Sequence, residues 1–206
     1  MKFLDNTINR YKQEGVLNSL KADTEKLQDF LVRVPGNARM LYENFLSLNR
    51  EKQIEIAAVT VITLLIFFIA AGGFDFEGGV PDMDIMVAGI GSHRSFFTHS
   101  ILIGFGIEFT GRFTLLLLNK VKNRMPADKH PAWDKIYSYI DKHKEKAIAA
   151  IWLGIGTHLI KDSGILGGGV TPYKDLPFSM PMDSHQALFA ANGTASQIFG
   201  INAFGN

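Results

Sequence analysis

The sequence contains no cysteine. Disulfides, thiolate metal sites and cysteine nucleophiles are therefore excluded, and any bound metal must be held by histidine and carboxylate. Net charge is almost absent: 21 Lys and Arg against 20 Asp and Glu leave +1, so nothing in the total argues for a nucleic-acid partner. Internal repeats and low-complexity tracts are missing too. The first fifty residues mix charged and apolar side chains too evenly to hold the apolar core of a secretory signal peptide, so we expect no cleavable targeting segment. No nucleophile-elbow glycine pattern surrounds Thr98 or Ser100, which leaves a serine triad without support and these two as supporting or capping groups.

What is present is apolar sequence in long runs. Ile56 to Phe74 carries no charge across nineteen residues, with only two threonines as polar side chains, long enough to cross the hydrocarbon region of a bilayer. The competing reading is a buried central helix of a soluble protein. A second run, Ile101 to Leu118, contains Glu108 and Arg112, four apart and so able to pair on one helix face. We read them as a structural pair. A third, Ala147 to Ile160, is shorter, rich in Ala and Gly, and ends near His158. Ahead of these, Leu17, Leu20, Thr24, Leu27, Leu31 and Val34 form the seam of an amphipathic helix, with Gly15 breaking its phase from an earlier stripe and Pro35-Gly36-Asn37 ending it; Ala38, Leu41, Phe45 and Leu48 begin another. A solvated helical hairpin accounts for this region, and a partner-binding or self-associating coiled coil is the alternative.

Of the Lys and Arg residues, nine precede Ile56 and eight lie between Asn119 and Ala147. If all three apolar segments span, the two basic regions share one side, and the positive-inside rule makes it cytoplasmic. Acidic residues interrupt the second basic region, so a solvated or membrane-facing loop explains it better than nucleic acid. Beyond Asp162 the chain reads as irregular, with a capping box at Asp183 and Gln186 opening a short helix through Ala191, which Asn192-Gly193 would end.

Between the first two runs lies Pro81 to Ser100, PDMDIMVAGIGSHRSFFTHS, dense in ligand-type side chains. Asp82 and Asp84 are two apart, so in an extended segment both carboxylates leave the same side. With His99 they supply half of a metal site; the other half is His158 and Asp162, four apart on one helix face. His93 and His185 could add ligands for a second ion or orient the first set, Asp82 could serve as base, and Arg94 could hold an anionic phosphate. Taken singly, each group has a plainer explanation: Asp82 a helix cap, His99 a satisfied core histidine, His158 with Asp162 a hydrogen bond along a helix face.

The pattern Pro81-Asp82-Met83-Asp84, then His93-Arg94 through Thr98-His99-Ser100, then His158-Leu159-Ile160-Lys161-Asp162 resembles the YdjM-like (LexA-regulated) membrane-bound metal-dependent hydrolases, over roughly residues 55 to 185. The order Asp, His, His-xxx-Asp is also similar, more distantly, to the helical zinc-dependent phospholipase C group, which implies that Asp84, His99, His158 and Asp162 hold one zinc. Together these imply an all-α membrane protein that hydrolyses a phosphoester or phospholipid with one or two divalent ions, most simply zinc. The N-terminal fifty residues and the Gly-rich stretch after Ser163 depart from the YdjM-like pattern. We therefore expect an amphipathic helical region over 1–52, a membrane-embedded helical domain over 53–185 and a loosely structured tail over 186–206. The chain would sit in the inner cell membrane as a multi-pass protein with a cytoplasmic N-terminus. Its partners would be the lipid bilayer and, through residues 1–50, a homo-oligomer or another protein. The alternative is a non-enzymatic membrane protein with a structural metal.

Overall fold

The structure, a computed structural model, describes residues 38–89, 93–126, 128–165, 167, 169–170 and 172–205. The expected break at Gly15, the stripe over 17–34 and the turn at Pro35 to Asn37 lie outside these residues. Among the described residues the protein is all-helical and has no strand. Helix α1 covers residues 38–47, α2 Arg50–Ala71, α3 Met83–Ala88, α4 Ile101–Lys122, α5 Ala132–Asp162 and α6 Met182–Phe204. The chain divides into two compact units, Met1–Ile56 and Ala57–Asn206.

In the first unit, α1 gives way to α2 at a short joint. The Asn49 side chain accepts the Lys52 N–H at 3.0 Å, capping one helix, while the Gln53 amide donates to the carbonyls of Phe45, Leu46 and Leu48 and satisfies the end of the other.

In the second unit two helices, α2 and α4, are long and apolar enough to cross a membrane. Along them only Val59, Ala70, Ala71 and Gly104 are buried, while Val61, Leu65 and Ile69 on α2 and Phe105, Phe109, Phe113 and Leu116 on α4 stand exposed. A core helix of a soluble protein would cover such side chains, and these helices do not. The third apolar segment differs. Ala147 to Ile160 is the C-terminal half of α5, and Ile148, Trp152, Ile155 and Leu159 there are buried within the protein. Of the three apolar segments, two are thus outward-facing helices of span length and one forms the core.

The core is built where α5 meets α6. One cluster joins Ile148, Ala149, Trp152 and Ala203; another joins Ile155, Leu159, Tyr173 and Phe189. Each of the large side chains contributes on the order of 1.5–3 kcal/mol by leaving water. The tail expected over 186–206 is likewise corrected: α6 runs unbroken past Asn192-Gly193 to Phe204 and buries Phe189, Gly193, Ser196, Gly200 and Ala203. The Asn192 amide donates to the Leu188 carbonyl at 2.8 Å and its oxygen accepts the Ile101 N–H at 3.0 Å, so this residue ties α6 to the start of α4 instead of ending a helix.

The Glu108–Arg112 pair forms as expected, at 2.7 Å, and is part of something larger. Arg112 also makes a bidentate contact to Glu145 of α5 at 2.8 Å for both nitrogens, and the Trp152 indole donates to Glu108 at 2.7 Å. Glu108 and Arg112, the charges in the middle of α4, therefore each have a partner on α5, which lowers the cost of placing them on an otherwise apolar helix.

After α2 the chain turns back on itself. Gly72 and Gly79 both have positive φ, 93° and 80°, and a Cβ at either would lie 2.5 Å from backbone atoms of the opposing limb. Only glycine permits this crossing. It lets the Val80 N–H reach the Ala70 carbonyl at 3.1 Å, and so brings Asp82 back over the end of α2.

Candidate metal centre

Four pieces converge: the returning turn with Asp82, the short helix α3 with Asp84, the segment 93–100 leading into α4, and the C-terminal end of α5. The two halves read from the sequence do meet. The Asp82 and Asp84 segment is not extended, however. Asp82 stands at the start of α3, and the helical turn sends the two carboxylates to different ends of His99.

Asp82 Oδ2 accepts the Gly78 N–H at 2.7 Å, which aims Oδ1 inward. That oxygen lies 3.0 Å from His99 Nε2, 3.3 Å from His93 Nδ1 and 3.7 Å from His158 Nε2. Asp162 Oδ2 completes the group, 3.4 Å from His158 Nε2 and 3.7 Å from His99 Nε2. A tetrahedral ion with ligands at about 2.0–2.1 Å holds its donor atoms about 3.3 Å apart. The observed separations bracket that value.

The protonation pattern fits an ion as well. A carbonyl can only accept, so the 3.2 Å contact from His158 Nδ1 to the Ala71 carbonyl places a ring proton on Nδ1 and turns Nε2 toward Asp162 and Asp82. The Thr98 hydroxyl donates to Asp84 Oδ2 at 2.8 Å, so toward His99 Nδ1, 3.0 Å away, it acts as acceptor, and Nε2 of that ring is the atom turned to Asp82 Oδ1 at 3.0 Å. The Nε2 atoms of two imidazoles and two carboxylate oxygens then face one another. His158 Nε2 and Asp162 Oδ2 are buried with no hydrogen-bond partner. A cluster of this kind is held together by positive charge, supplied either by protons on the rings or by a metal ion in their place. The groups His99, His158, Asp162 and Asp82, His93, His99 could each hold a metal ion.

Asp84 serves differently from the expectation. Its Oδ2 accepts the N–H groups of Arg94 and Ser95 at 2.9 and 3.0 Å besides the Thr98 hydroxyl. It shapes the 93–98 segment and, through Thr98, sets the orientation of His99. Burial pushes the carboxyls of both Asp82 and Asp84 up, but this is outweighed. For Asp82 the His99 contact and the fields of His158, His99 and His93 hold it below the usual carboxylate range; for Asp84 the Ser95 N–H and the Thr98 hydroxyl do so, with His99 and His93 adding to them.

Arg94 adopts φ 73°, a strained left-handed conformation for a side-chain-bearing residue, held by its N–H on Asp84 and its carbonyl on the Lys174 N–H at 3.4 Å. Its guanidinium lies 3.5 Å from Asp162 Oδ1, and Nη1 is buried without a hydrogen-bond acceptor. Arg94 Nε donates to His93 Nε2 at 3.2 Å, so the His93 proton sits on Nδ1 between the two aspartates. His93 would have to give up that proton to become a ligand.

His185 is corrected as a ligand. Its Nδ1 accepts the Tyr173 N–H at 3.2 Å, and it belongs to neither donor group. It supports the site at one remove, because the Tyr173 hydroxyl donates to the His99 carbonyl at 2.7 Å. Sequence reasoning missed Tyr173 and also Asp175, whose oxygens accept the Phe96 N–H at 2.7 Å and the Ser95 hydroxyl at 2.9 Å. Nothing in the Gly- and Pro-rich stretch around them marks either residue.

Comparison with known proteins finds no family model, no curated protein and no solved structure that matches this chain.

Proposed function

We propose that the chain is a membrane-bound metal-dependent hydrolase acting on a phosphoester, with zinc as the simplest occupant of the centre. One observation carries the reading: His99, His158 and Asp162 converge at metal-ligand spacing, with Asp82 Oδ1 3.0 Å from His99, beside a partly buried guanidinium whose Nη1 has no hydrogen-bond acceptor. A divalent ion bound there supplies Lewis-acid polarisation and lowers the pKa of a water molecule. His99, His158 and Asp162 hold the ion, and Asp82 either joins them or keeps a proton-accepting oxygen beside them. Arg94 binds a phosphate oxygen in the position its strained backbone assigns it. His93 holds a proton at Nδ1, next to both aspartates and within reach of a leaving group admitted past Arg94. The resemblance to the YdjM-like hydrolases supports the same reading.

Protein purified without chelator or a metal-binding tag should carry a stoichiometric divalent ion by elemental analysis, and should hydrolyse a chromogenic phosphodiester or a phospholipid headgroup. Arg94→Ala should leave metal content intact and lower kcat/KM by roughly ten- to a hundredfold, the value of a charge-assisted hydrogen bond of about 1.5–3 kcal/mol. Absence of metal, or an unaffected rate in that variant, removes the proposal.

A second reading has its own observation. His99, His158 and Asp162 are buried, and with Asp82 they number four, enough to close a tetrahedral site and make the ion structural. In that case Asp82→Asn lowers stability, and no phosphoester is turned over by the wild type.

We further propose that the basic region over 120–146 faces the cytoplasm and the metal centre the opposite side, with the chain in the inner membrane. A reporter fused after Arg124 should be active only in its cytoplasmic form; activity of an exported reporter at that position contradicts this topology.

A further inference from the structure

Between α4 and α5 runs a cavity of about 310 Å³ whose lining is almost wholly apolar. Its size falls at the lower end of the roughly 300–1,000 Å³ typical of small-molecule sites. Gly104, Gly111 and Leu115 on one helix and Ile148, Ile151 and Trp152 on the other form its walls, and Glu108 and Lys144 reach its edge. The two glycines have different reasons to be there. At Gly104 a Cβ would strike the Trp152 ring at 2.3 Å, so that glycine seats the indole. At Gly111 a Cβ would meet nothing within 4 Å. No close approach within the chain explains glycine in the middle of a 22-residue helix, where it is the weakest ordinary former. Its effect is to keep the slot open.

We propose that this slot binds one acyl chain of a bilayer phospholipid. The inference rests on α4 lying in the membrane, and it is independent of the metal centre's chemistry. Two observations favour this occupant. The slot is part of the surface of a span-length helix whose neighbouring side chains, Phe105, Phe109 and Phe113, are themselves exposed and apolar, so the hydrocarbon that covers them is continuous with the cavity. Both edge charges are already engaged within the chain: Glu108 by Arg112 and Trp152, Lys144 by Asp141 at 2.6 Å. The slot therefore offers an apolar body no hydrogen-bonding partner.

Trp152 makes the test direct, because the sequence has two tryptophans and the other, Trp133, is half-exposed near the start of α5. The full chain carrying Trp133→Phe is reconstituted in nanodiscs of phosphatidylglycerol and phosphatidylcholine, with a small fraction of phosphatidylglycerol bearing brominated acyl chains. Trp152 fluorescence should be quenched well beyond what random contact at that fraction gives, and Gly111→Leu, which fills the slot, should remove the excess quenching while circular dichroism and thermal midpoint are retained. A second variant, Phe109→Leu on the outer surface, should keep it. Quenching no greater than random contact overturns the proposal, as does excess quenching that survives Gly111→Leu. A slot occupied by a second copy of the chain overturns it as well, appearing as absent quenching together with dimers in a crosslinking series. Failure of the membrane reading is distinguishable, because the chain would then remain soluble without detergent and would not enter the nanodisc.

Discussion

Replacing His158 by alanine is expected to empty the centre of metal and abolish hydrolysis, the largest functional effect anticipated for a single change in this protein. The side chain is 2% exposed, its Nδ1 proton is committed to the Ala71 carbonyl, and its Nε2 faces Asp162 Oδ2 at 3.4 Å with no hydrogen-bond partner among the described residues. Losing a group that merely orients a ligand costs about 10–100-fold in metal affinity; losing the ligand itself should cost more. Stability falls too. The Ala71 carbonyl loses its imidazole donor, on the order of 1–3 kcal/mol, and the contribution of bound metal, about 4 kcal/mol where free ion exceeds its dissociation constant a thousandfold, disappears. Asp162→Asn keeps the volume and should reproduce the metal loss with a smaller change in thermal midpoint. Because imidazole must be neutral to bind, affinity should also weaken as pH falls through the histidine range, while the carboxyl of Asp82, held low, stays ionised. Elemental analysis and thermal melts with and without chelator check all of this. His158→Ala protein with wild-type metal content would mean that the ion sits elsewhere or is absent.

The parts of this site that were legible in the sequence are those governed by local spacing. His158 and Asp162 share a face because a helix returns after four residues, and that held with a 3.4 Å contact. Asp82 and Asp84 were expected to point together because an extended segment alternates, but Met83–Ala88 is helical and their carboxylates diverge, one inward to His99 and one to the backbone of residues 94 and 95. Contacts over long sequence separation left no mark: Tyr173 on His99, Asp175 on Phe96 and Arg112 on Glu145 each depend on where the helices pack. The helical fold class agrees with the amphipathic stripes, the long apolar runs and the resemblance taken together. The distinction between a span and a core helix was less legible, since α4 and the end of α5 are both apolar, and it is the packing of α6 that buries the shorter, Ala- and Gly-rich one.

The same limit explains why α6 went unrecognised, and it supports the largest structural effect expected. Asn192-Gly193 reads as a helix stop when only local conformation is considered. Here Gly193 marks the place where α5 and α6 touch backbone to backbone. A Cβ on Gly193 would lie 2.7 Å from Ile160 Cγ1 and 3.0 Å from the Gly156 carbonyl oxygen, and a Cβ on Gly156 would lie 2.9 Å from the Gly193 carbonyl oxygen. Backbone atoms cannot swing aside as a side chain can, and two of them lie 3.0 Å from that Cβ, so Gly193→Ala should shift α5 and α6 apart by about a few tenths of an ångström. Overpacking of this kind costs typically 1–3 kcal/mol, or roughly 2–4 °C in thermal midpoint per kcal/mol at this chain length, and Gly193→Leu should cost more. Gly200→Ala is the comparison, because its nearest neighbours are Leu153 side-chain atoms at 2.6 and 2.8 Å, which can repack, and its nearest backbone atom is farther away at 3.1 Å. The displacement should reach the metal centre by two routes. Gly156 is two residues from His158, and α6 carries Phe189, stacked on Tyr173 at 4.2 Å, whose hydroxyl holds the His99 carbonyl. Gly193→Ala should therefore weaken metal binding without touching a ligand, whereas Gly200→Ala should leave it nearly unchanged. Thermal melts paired with metal titration separate the cases, and equal behaviour of the two variants would show that the α5–α6 contact does not position the site.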